Sequence, residues 1–498
     1  MSVLKISSIV IVGGGTSGWL TAAYLSNACP EVSITVIDKE IGTPIGVGEA
    51  TLLNFKPFME ECGFEVDDWF SKIDAGYKSG ILFTNWCKSN HEIWHPFYKG
   101  NRTVSIGNTK NKPVYMHDVW SKAQHLDFKK YSLGYYEASI DHNVVDSSSL
   151  HNYAFHVDCG KLVTYIQEKI KDKINIIRSD VVNVVVNDSG GVKHLELKNG
   201  STITTDLFVD CTGFKNLLRA PKKRVDLTDR LFVNTAVVCQ VPYKDRPEEF
   251  KPYAVCDAVD HGWIWKIGVS SRIGSGLVFN RDLTSIDEAK QCFADYWKGR
   301  VDIDKIRVID WTPFYNKDQW EDNVVSIGLS AGFIEPLEST GIGLITAGIT
   351  QLNNVVREQY YDQDNVDFFN LQMKLYFEDC VDFVSGHYAN NNRTSKFWNF
   401  VKDKFEPSEK MKYFIEHLAD PTINIPYNGK FNLIFAGVNW SLMLLQLGYP
   451  VAPRDIDITD EQAEELLIKN YLKYEKHKHV WSRPHSLEVD RLSEISKL

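Results

Sequence analysis

The chain lacks any apolar run of the roughly 18 residues or more that a transmembrane helix needs, so no membrane span is expected. It also lacks a Cys-x-x-Cys pair. Its nine cysteines are scattered and odd in number, which argues against both a zinc site and a disulfide framework. A reducing cytoplasm is the expected compartment. No basic segment with a long apolar core opens the chain, so its first apolar run reads as a strand and not as a signal peptide. Positive charge is in deficit. With 55 Lys and Arg against 65 Asp and Glu, the net charge of -10 disfavours nucleic acid and anionic membranes as partners. Internal repeats, low-complexity tracts and clean linkers are missing too. What remains is an ordinary globular composition, 43% hydrophobic and 24% charged over 498 residues. That length suits about three domain-sized units, or one domain with elaborations.

One stretch organises the rest. The apolar run Ile9-Val10-Ile11-Val12 reads as a buried strand, and Trp19-Leu20-Thr21-Ala22-Ala23 opens a helix. Between them lies Gly13-Gly14-Gly15-Thr16-Ser17-Gly18. Strand, glycine turn and helix is the context that gives a Gly-x-Gly-x-x-Gly pattern its meaning. Gly13 makes the tight turn, Gly15 admits a pyrophosphate, and Gly18 lets helix and strand approach. Thr16 and Ser17 lie at the helix N-terminus, where free N–H groups attract phosphate. A second apolar run, 32–37, ends at Asp38, in place to meet a ribose hydroxyl.

The order of the later segments extends this reading. Residues 41–51, with Gly46, Gly48, Glu49, Ala50 and Thr51, read as a loop lining the cofactor. Residues 52–75 read as helical. Lys78 enters a strand between Gly76 and Gly80, and by itself reads as an exposed edge lysine. Trp94-His95-Pro96-Phe97 is an aromatic cluster, and residues 100–150 are polar and irregular. A helix is expected from residue 155, then a hairpin around Asp188-Ser189-Gly190-Gly191. Asp206 to Phe214 reads as a buried strand ending in a Thr-Gly turn. Trp263 and Trp265, two apart, share one strand face. A last apolar strand enters Gly328-Leu329-Ser330, and a second turn holds Glu338-Ser339-Thr340-Gly341-Ile342 before an apolar helix. The pattern beyond residue 351 is helical. A nucleotide loop, interposed material and a late return to the sheet together suggest a flavoprotein scaffold.

At this point several stretches resemble the flavin-dependent tryptophan halogenase family. They are the glycine loop with Trp19, Gly46-Val47-Gly48-Glu49-Ala50-Thr51, Tyr77-Lys78 before Phe83-Thr84-Asn85-Trp86, and Asp206 to Phe214. Trp263-Ile264-Trp265-Lys266-Ile267, Phe333 to Ile342, and Phe383-Val384-Ser385-Gly386-His387-Tyr388 complete the set. The resemblance implies an α/β protein with the FAD-binding, Rossmann-like flavin monooxygenase fold and a mainly helical C-terminal cap. Residues 1–350 would form the FAD and halide module with an inserted substrate-side sheet. Residues 351–498 would form the cap and share in the substrate pocket.

The implied chemistry uses reduced FAD, molecular oxygen and a halide ion to make hypohalous acid, which travels through a tunnel to an aromatic substrate. By their matches, Lys78 activates the halogenating species and Glu338 assists, by taking the ring proton or orienting the agent. Thr340 and Gly341 match the halide turn, and His95 and Phe97 the substrate wall. Gly13, Gly15, Thr16, Ser17, Gly18, Asp38, Gly48, Glu49, Ala50, Gly328, Gly341 and Ile342 fall to the cofactor. The two tryptophans match those that keep substrate from the flavin. A separate flavin reductase is the implied partner; homo-oligomerisation is left open, and no metal is called for.

Two departures from the family pattern carry expectations. The tryptophan motif ends Ile267-Gly268 where the family has Ile-Pro, which predicts a less rigid strand. Gly343 stands where tryptophan-specific members carry a large aromatic, which predicts a roomier halide and flavin region, taking bromide or iodide as readily as chloride. The cap residues that grip tryptophan find no match, so the expected substrate is an indole, a phenol or a similar electron-rich aromatic. The alternative is an aromatic hydroxylase on the same scaffold, which needs substrate beside the flavin; its usual Gly-Asp element is replaced here by Gly328-Leu329-Ser330.

Overall fold

Short runs of β-branched residues assemble into a six-stranded sheet. The computed structural model describes residues 3–39, 48–97, 103–104, 114–127, 131, 144–146, 153–218, 223–420, 434–452 and 458–495. The sheet order is Asn175–Arg178, Ser33–Asp38, Ser8–Val12, Leu207–Asp210, Val324–Ser326 and Trp320–Glu321. All neighbours pair in parallel except the last, which is antiparallel. Parallel strands need both faces covered, and Ser8–Val12 and Leu207–Asp210 are accordingly apolar and buried almost throughout. Helix Thr16–Ala28 leaves the first of them directly. The chain returns to this sheet at residues 207 and 324, as the flavoprotein reading expects.

A seven-stranded sheet is interposed. Its order is Arg307–Asp310, Thr235–Val241, Arg272–Phe279, Gly262–Val269, Ala254–Val259, Gly80–Thr84 and Glu92–Pro96. Gly262–Val269 pairs with Arg272–Phe279 along its whole length, Gly268 with Ile273. Gly268 keeps its place in that ladder. The fit there is tight: a Cβ on Gly268 would come 3.0 Å from both Phe250 Cδ2 and Tyr243 Oη.

A three-stranded sheet, Glu49–Ala50, Ala154–Val157 and Gly76–Lys78, completes the site region. Two expectations are corrected here. Glu49 and Ala50 are strand rather than loop, because Ala50 pairs with His156. Residues 154–157 are strand rather than helix, because all four are buried and each pairs with at least one of the two flanking strands; the helix starts only at Cys159, where Asp158 accepts from the Lys161 N–H as a cap. Gly46 and Val47 lie outside the described residues, as does most of 100–150, although Met116–Lys122 is helical.

Helix Thr340–Val356 runs through the boundary expected at residue 350, so the two parts meet inside a helix. Helix Gln363–Gly386 follows, opened by a reciprocal cap between Asp362 and Asn365. Lys396–Lys404, Glu409–Ala419, Gly437–Gln446, Asp460–Trp481 and His485–Ile495 make the rest of the helical cap. The cap is stitched back to the body: Tyr360–Tyr361 pairs with Leu4–Lys5, and Ser482–Pro484 with Val144–Asp146. All nine cysteines are free thiols. Seven are buried, and Cys239 and Cys292 are half-buried. Among the described residues no helix is long and apolar enough to cross a membrane.

Candidate active site

The glycine loop is shaped for an anion. Gly13 has φ +121°, and a Cβ there would strike the Cys211 carbonyl oxygen at 2.3 Å. At Gly18 a Cβ would lie 1.9 Å from the Gly13 carbonyl oxygen, so both glycines are fixed by backbone packing. Gly15 differs: a Cβ there would meet nothing within 4 Å. It caps helix Thr16–Ala28 without any side-chain hydrogen bond, and the first turn carries no acid. Among the described residues no side chain caps the N–H groups of that turn, which fits a pyrophosphate. Gly328, φ +78°, closes the loop from the far end of the chain, its Cβ direction 2.8 Å from Ser17 Cβ. Gly15→Ala is expected to leave the melting temperature unchanged while weakening flavin binding more than about tenfold, because its Cβ clashes only with bound phosphate. Gly18→Ala is expected to lower both; thermal melting with flavin fluorescence titration separates the two.

Asp38 is less free than its place after the second strand suggests. It is buried and ion-paired with Arg178, whose guanidinium stands 5.9 Å from the Trp19 ring. Burial raises the Asp38 carboxyl, with Arg178 pulling the other way. A ribose hydroxyl would share this carboxylate with Arg178. Glu49 is exposed and pairs with Val157, while Gly48, φ +75°, and Ala50 are buried.

Lys78 is not the exposed edge lysine of the sequence reading. Its strand is indeed an edge, but the side chain is fully buried, because Phe97 and the chain at Thr51 cover it. Nζ donates to the Thr51 carbonyl at 3.1 Å and lies 4.9 Å from the Phe97 ring centroid. Burial drives the ammonium down to about 7, with the Glu338 charge opposing. One carbonyl and one aromatic face leave an ammonium with three donors capacity for a reactant.

Glu338 is also fully buried. His95 Nδ1 lies 3.0 and 2.9 Å from its two oxygens, and His387 Nε2 lies 2.8 Å from Oε1. Burial alone would raise this carboxyl; the two imidazoles outweigh it and hold it down at about 2. Glu338 is thus an ionised, oriented anion. Each imidazole is itself held. His95 Nε2 faces the Asn439 amide at 2.9 Å, and His387 Nδ1 donates to the Phe383 carbonyl at 2.9 Å. The strand under His95 is splinted by Gln446, which accepts from the Trp94 N–H at 2.7 Å and donates to its carbonyl at 2.9 Å.

His95 and Phe97 therefore lie against the two buried charged groups, Phe97 at Lys78 and His95 at Glu338. His387 and Asn439 were missed as site residues, and Thr51, expected beside the cofactor, gives its carbonyl to Lys78. His387 lay within a stretch singled out above, but Asn439 and Gln446 come from helix Gly437–Gln446, for which the sequence offered no signal.

The turn expected to bind halide repeats the logic of the glycine loop. Ser339 holds a left-handed backbone, φ +58°, and helix Thr340–Val356 starts without a side-chain cap or an acid in its first turn. Thr340 and Ile342 are buried, and a Cβ on Gly341 would meet nothing within 4 Å. The roomier space expected at Gly343 is filled: Leu52 Cδ1 lies 2.6 Å from where its Cβ would be. Trp263 and Trp265 stand side by side, ring centroids 6.3 Å apart. Trp263 donates to Tyr388 Oη at 3.0 Å, and Tyr388 donates to Glu335 at 2.7 Å, where burial pushes the carboxyl up to about 8.

A parallel sheet entered by an uncapped glycine loop, with a buried lysine and a buried, imidazole-held carboxylate elsewhere in the molecule, is the arrangement of a dinucleotide-binding fold with a second polar site. Comparison with known proteins makes the class definite. The tryptophan halogenase family model matches residues 8–463. The chain is 30% identical over 493 residues to tryptophan 6-halogenase ThaL of Streptomyces albogriseolus, covering 91% of each. It is 29% identical to tryptophan 7-halogenase RebH of Lentzea aerocolonigenes, over 86% of this chain and 85% of that one. Its structure superposes on Xcc4156, a flavin-dependent halogenase from Xanthomonas campestris, with TM-score 0.87, 26% identity and 98% coverage of both chains. The chain belongs to the tryptophan halogenase family.

Proposed function

We propose that this flavin-dependent halogenase acts on an electron-rich small aromatic, an indole, a phenol or a similar ring, held at the wall made by His95 and Phe97. The observation that carries the reading is the fully buried Lys78 ammonium within electrostatic reach of a fully buried Glu338 carboxylate that two imidazoles hold. Bound reduced FAD supplies the electrons that, with oxygen and halide, yield hypohalous acid. Gly13, Gly15, Gly18 and Gly328 shape its phosphate cradle, and the Thr340-Gly341 turn offers uncapped N–H groups to the halide. Lys78 donates a hydrogen bond to the oxygen of the hypohalous acid and so draws charge from the halogen. Glu338, both oxygens engaged, steadies the positive charge that grows on the attacked ring, and the ring proton and the hydroxide freed from the hypohalous acid leave together as water. The hydroxylase alternative is not favoured. Among the described residues nothing adds a second nucleotide loop, which suits reduced flavin delivered by a separate reductase, and nine free thiols suit a reducing cytoplasm.

Mass spectrometry of products from an aromatic panel, each with chloride or bromide, reduced FAD and oxygen, tests this. Replacement of ring hydrogen by halogen is expected. Hydroxylated products with no halogen would sink the reading.

A further inference from the structure

Strand Gly76–Lys78 pairs on one side with Ala154–Val157, and its other edge carries backbone groups that a sheet would leave open. Two donors on that edge are taken. The Ser79 N–H donates directly to the Pro252 carbonyl at 2.7 Å. The Tyr77 N–H, one residue before Lys78, donates to His485 Nε2 at 3.1 Å, and His485 Nδ1 donates to the Phe250 carbonyl at 2.9 Å. The imidazole thus stands where a direct strand-to-strand bond would run if residues 250–252 stayed close.

The ring is fully buried and packs on Phe250 with centroids 4.0 Å apart. Phe250 in turn fills the hollow over two glycines. A Cβ would meet it at 2.8 Å from Gly76 and 3.0 Å from Gly268. The glycine that departs from the family's Ile-Pro thus makes room for the ring on which His485 rests. The two bonds need one protonated and one bare ring nitrogen, the neutral Nδ1–H form. Burial favours that form, holding the imidazole down to about 3. His485 opens helix His485–Ile495, which Arg246 pins through Asp490 at 3.0 and 3.1 Å.

We infer that His485 is a positioning residue for Lys78: it splints the lysine strand to the 250–252 segment and keeps the ammonium in register with the Thr51 carbonyl and Glu338. This rests on the role given to Lys78 above. Nothing in the reaction touches His485, so its effect is on how much oxidant is used productively.

Two variants and one control test this. H485F keeps an aromatic plate on Phe250 but can neither donate nor accept; H485Q keeps one donor and one acceptor. Halogenated product per flavin oxidised is expected to fall about tenfold or more in H485F, as displaced reacting groups do. Flavin oxidation should hold steady, Tyr77 amide exchange should quicken, and H485Q should recover most of the coupling. Wild-type coupling in H485F overturns the inference, as does loss of flavin oxidation in both variants, the mark of a merely structural role. Should H485F not fold, amide exchange in the unmodified enzyme decides: a protected Tyr77 amide supports the splint and a rapidly exchanging one overturns it. Lys78→Ala is run beside them. If it still halogenates, the role of Lys78 fails; if it is inactive while H485F stays coupled, only the splint fails.

Discussion

Lys78→Ala is expected to abolish halogenation, a fall of about a thousandfold or more for loss of a buried, charge-assisted donor, while peroxide release from reduced flavin continues. The phosphate cradle is built elsewhere, from Gly13, Gly15 and Gly18, so flavin affinity should not move. Parallel assays of product and peroxide check this. The dry site adds a pH signature. Burial brings Lys78 down to about 7, so its protonated fraction changes within the working range. An ammonium that donates to the oxidant is the protonated form, and coupling should fall as pH rises through about 7. A rise over the same interval would instead assign the amine as carrier of the halogen. Lys78→Met, which removes an ammonium that burial disfavours and keeps the volume, should be equally inactive yet at least as heat-stable. That result separates lost chemistry from lost fold.

Glu338→Gln should cost both activity and stability. The carboxylate faces His95 and His387, and a carboxamide would turn a donor toward one imidazole N–H. Removing one partner of a buried pair costs about 3–5 kcal/mol, and turnover should drop about a hundredfold or more. The pH dependence has a defined sign. Burial opposes ionisation, but the two imidazoles prevail and lower the carboxyl from 4.5 to about 2 in the fold. The folded state then binds fewer protons than the unfolded chain. The contribution, about 3 kcal/mol at roughly 1.4 kcal/mol per unit, is complete above about pH 4.5 and drains away as pH falls toward 2. Urea unfolding of both proteins across that window should show the gap between them close in acid.

The glycine loop was legible because its reasons are local. Gly13 and Gly18 are fixed by a turn and by carbonyl oxygens that any strand–turn–helix of this kind supplies. The late strands at 207 and 324 were legible as apolar runs. Lys78 shows the limit. An edge lysine normally faces water, and what buries this one is Phe97 and the Thr51 carbonyl, on other strands and turns. The grip on Glu338 was harder still to read, since its groups sit at 95, 387 and 439 and meet only when the cap closes on the sheet. Arg178 likewise reaches Asp38 through sheet order, not sequence. The empty space inferred at Gly343 failed for the same reason: a small residue says nothing of the neighbour, here Leu52, that fills it.

The free thiols take on a different meaning in a catalyst whose product corrodes sulphur. Cys256 lies within the electrostatic reach of Lys78 and Glu338, and burial keeps it a thiol. Cys239 and Cys292 are the two that solvent touches, on strand Thr235–Val241 and helix Ile286–Tyr296. Buried and protonated, Cys256 is shielded beside the reagent, whereas oxidation at Cys239 or Cys292 records oxidant that escaped and came back from the bath. Their oxidation, read peptide by peptide after many turnovers, measures how tightly the molecule contains its own reagent.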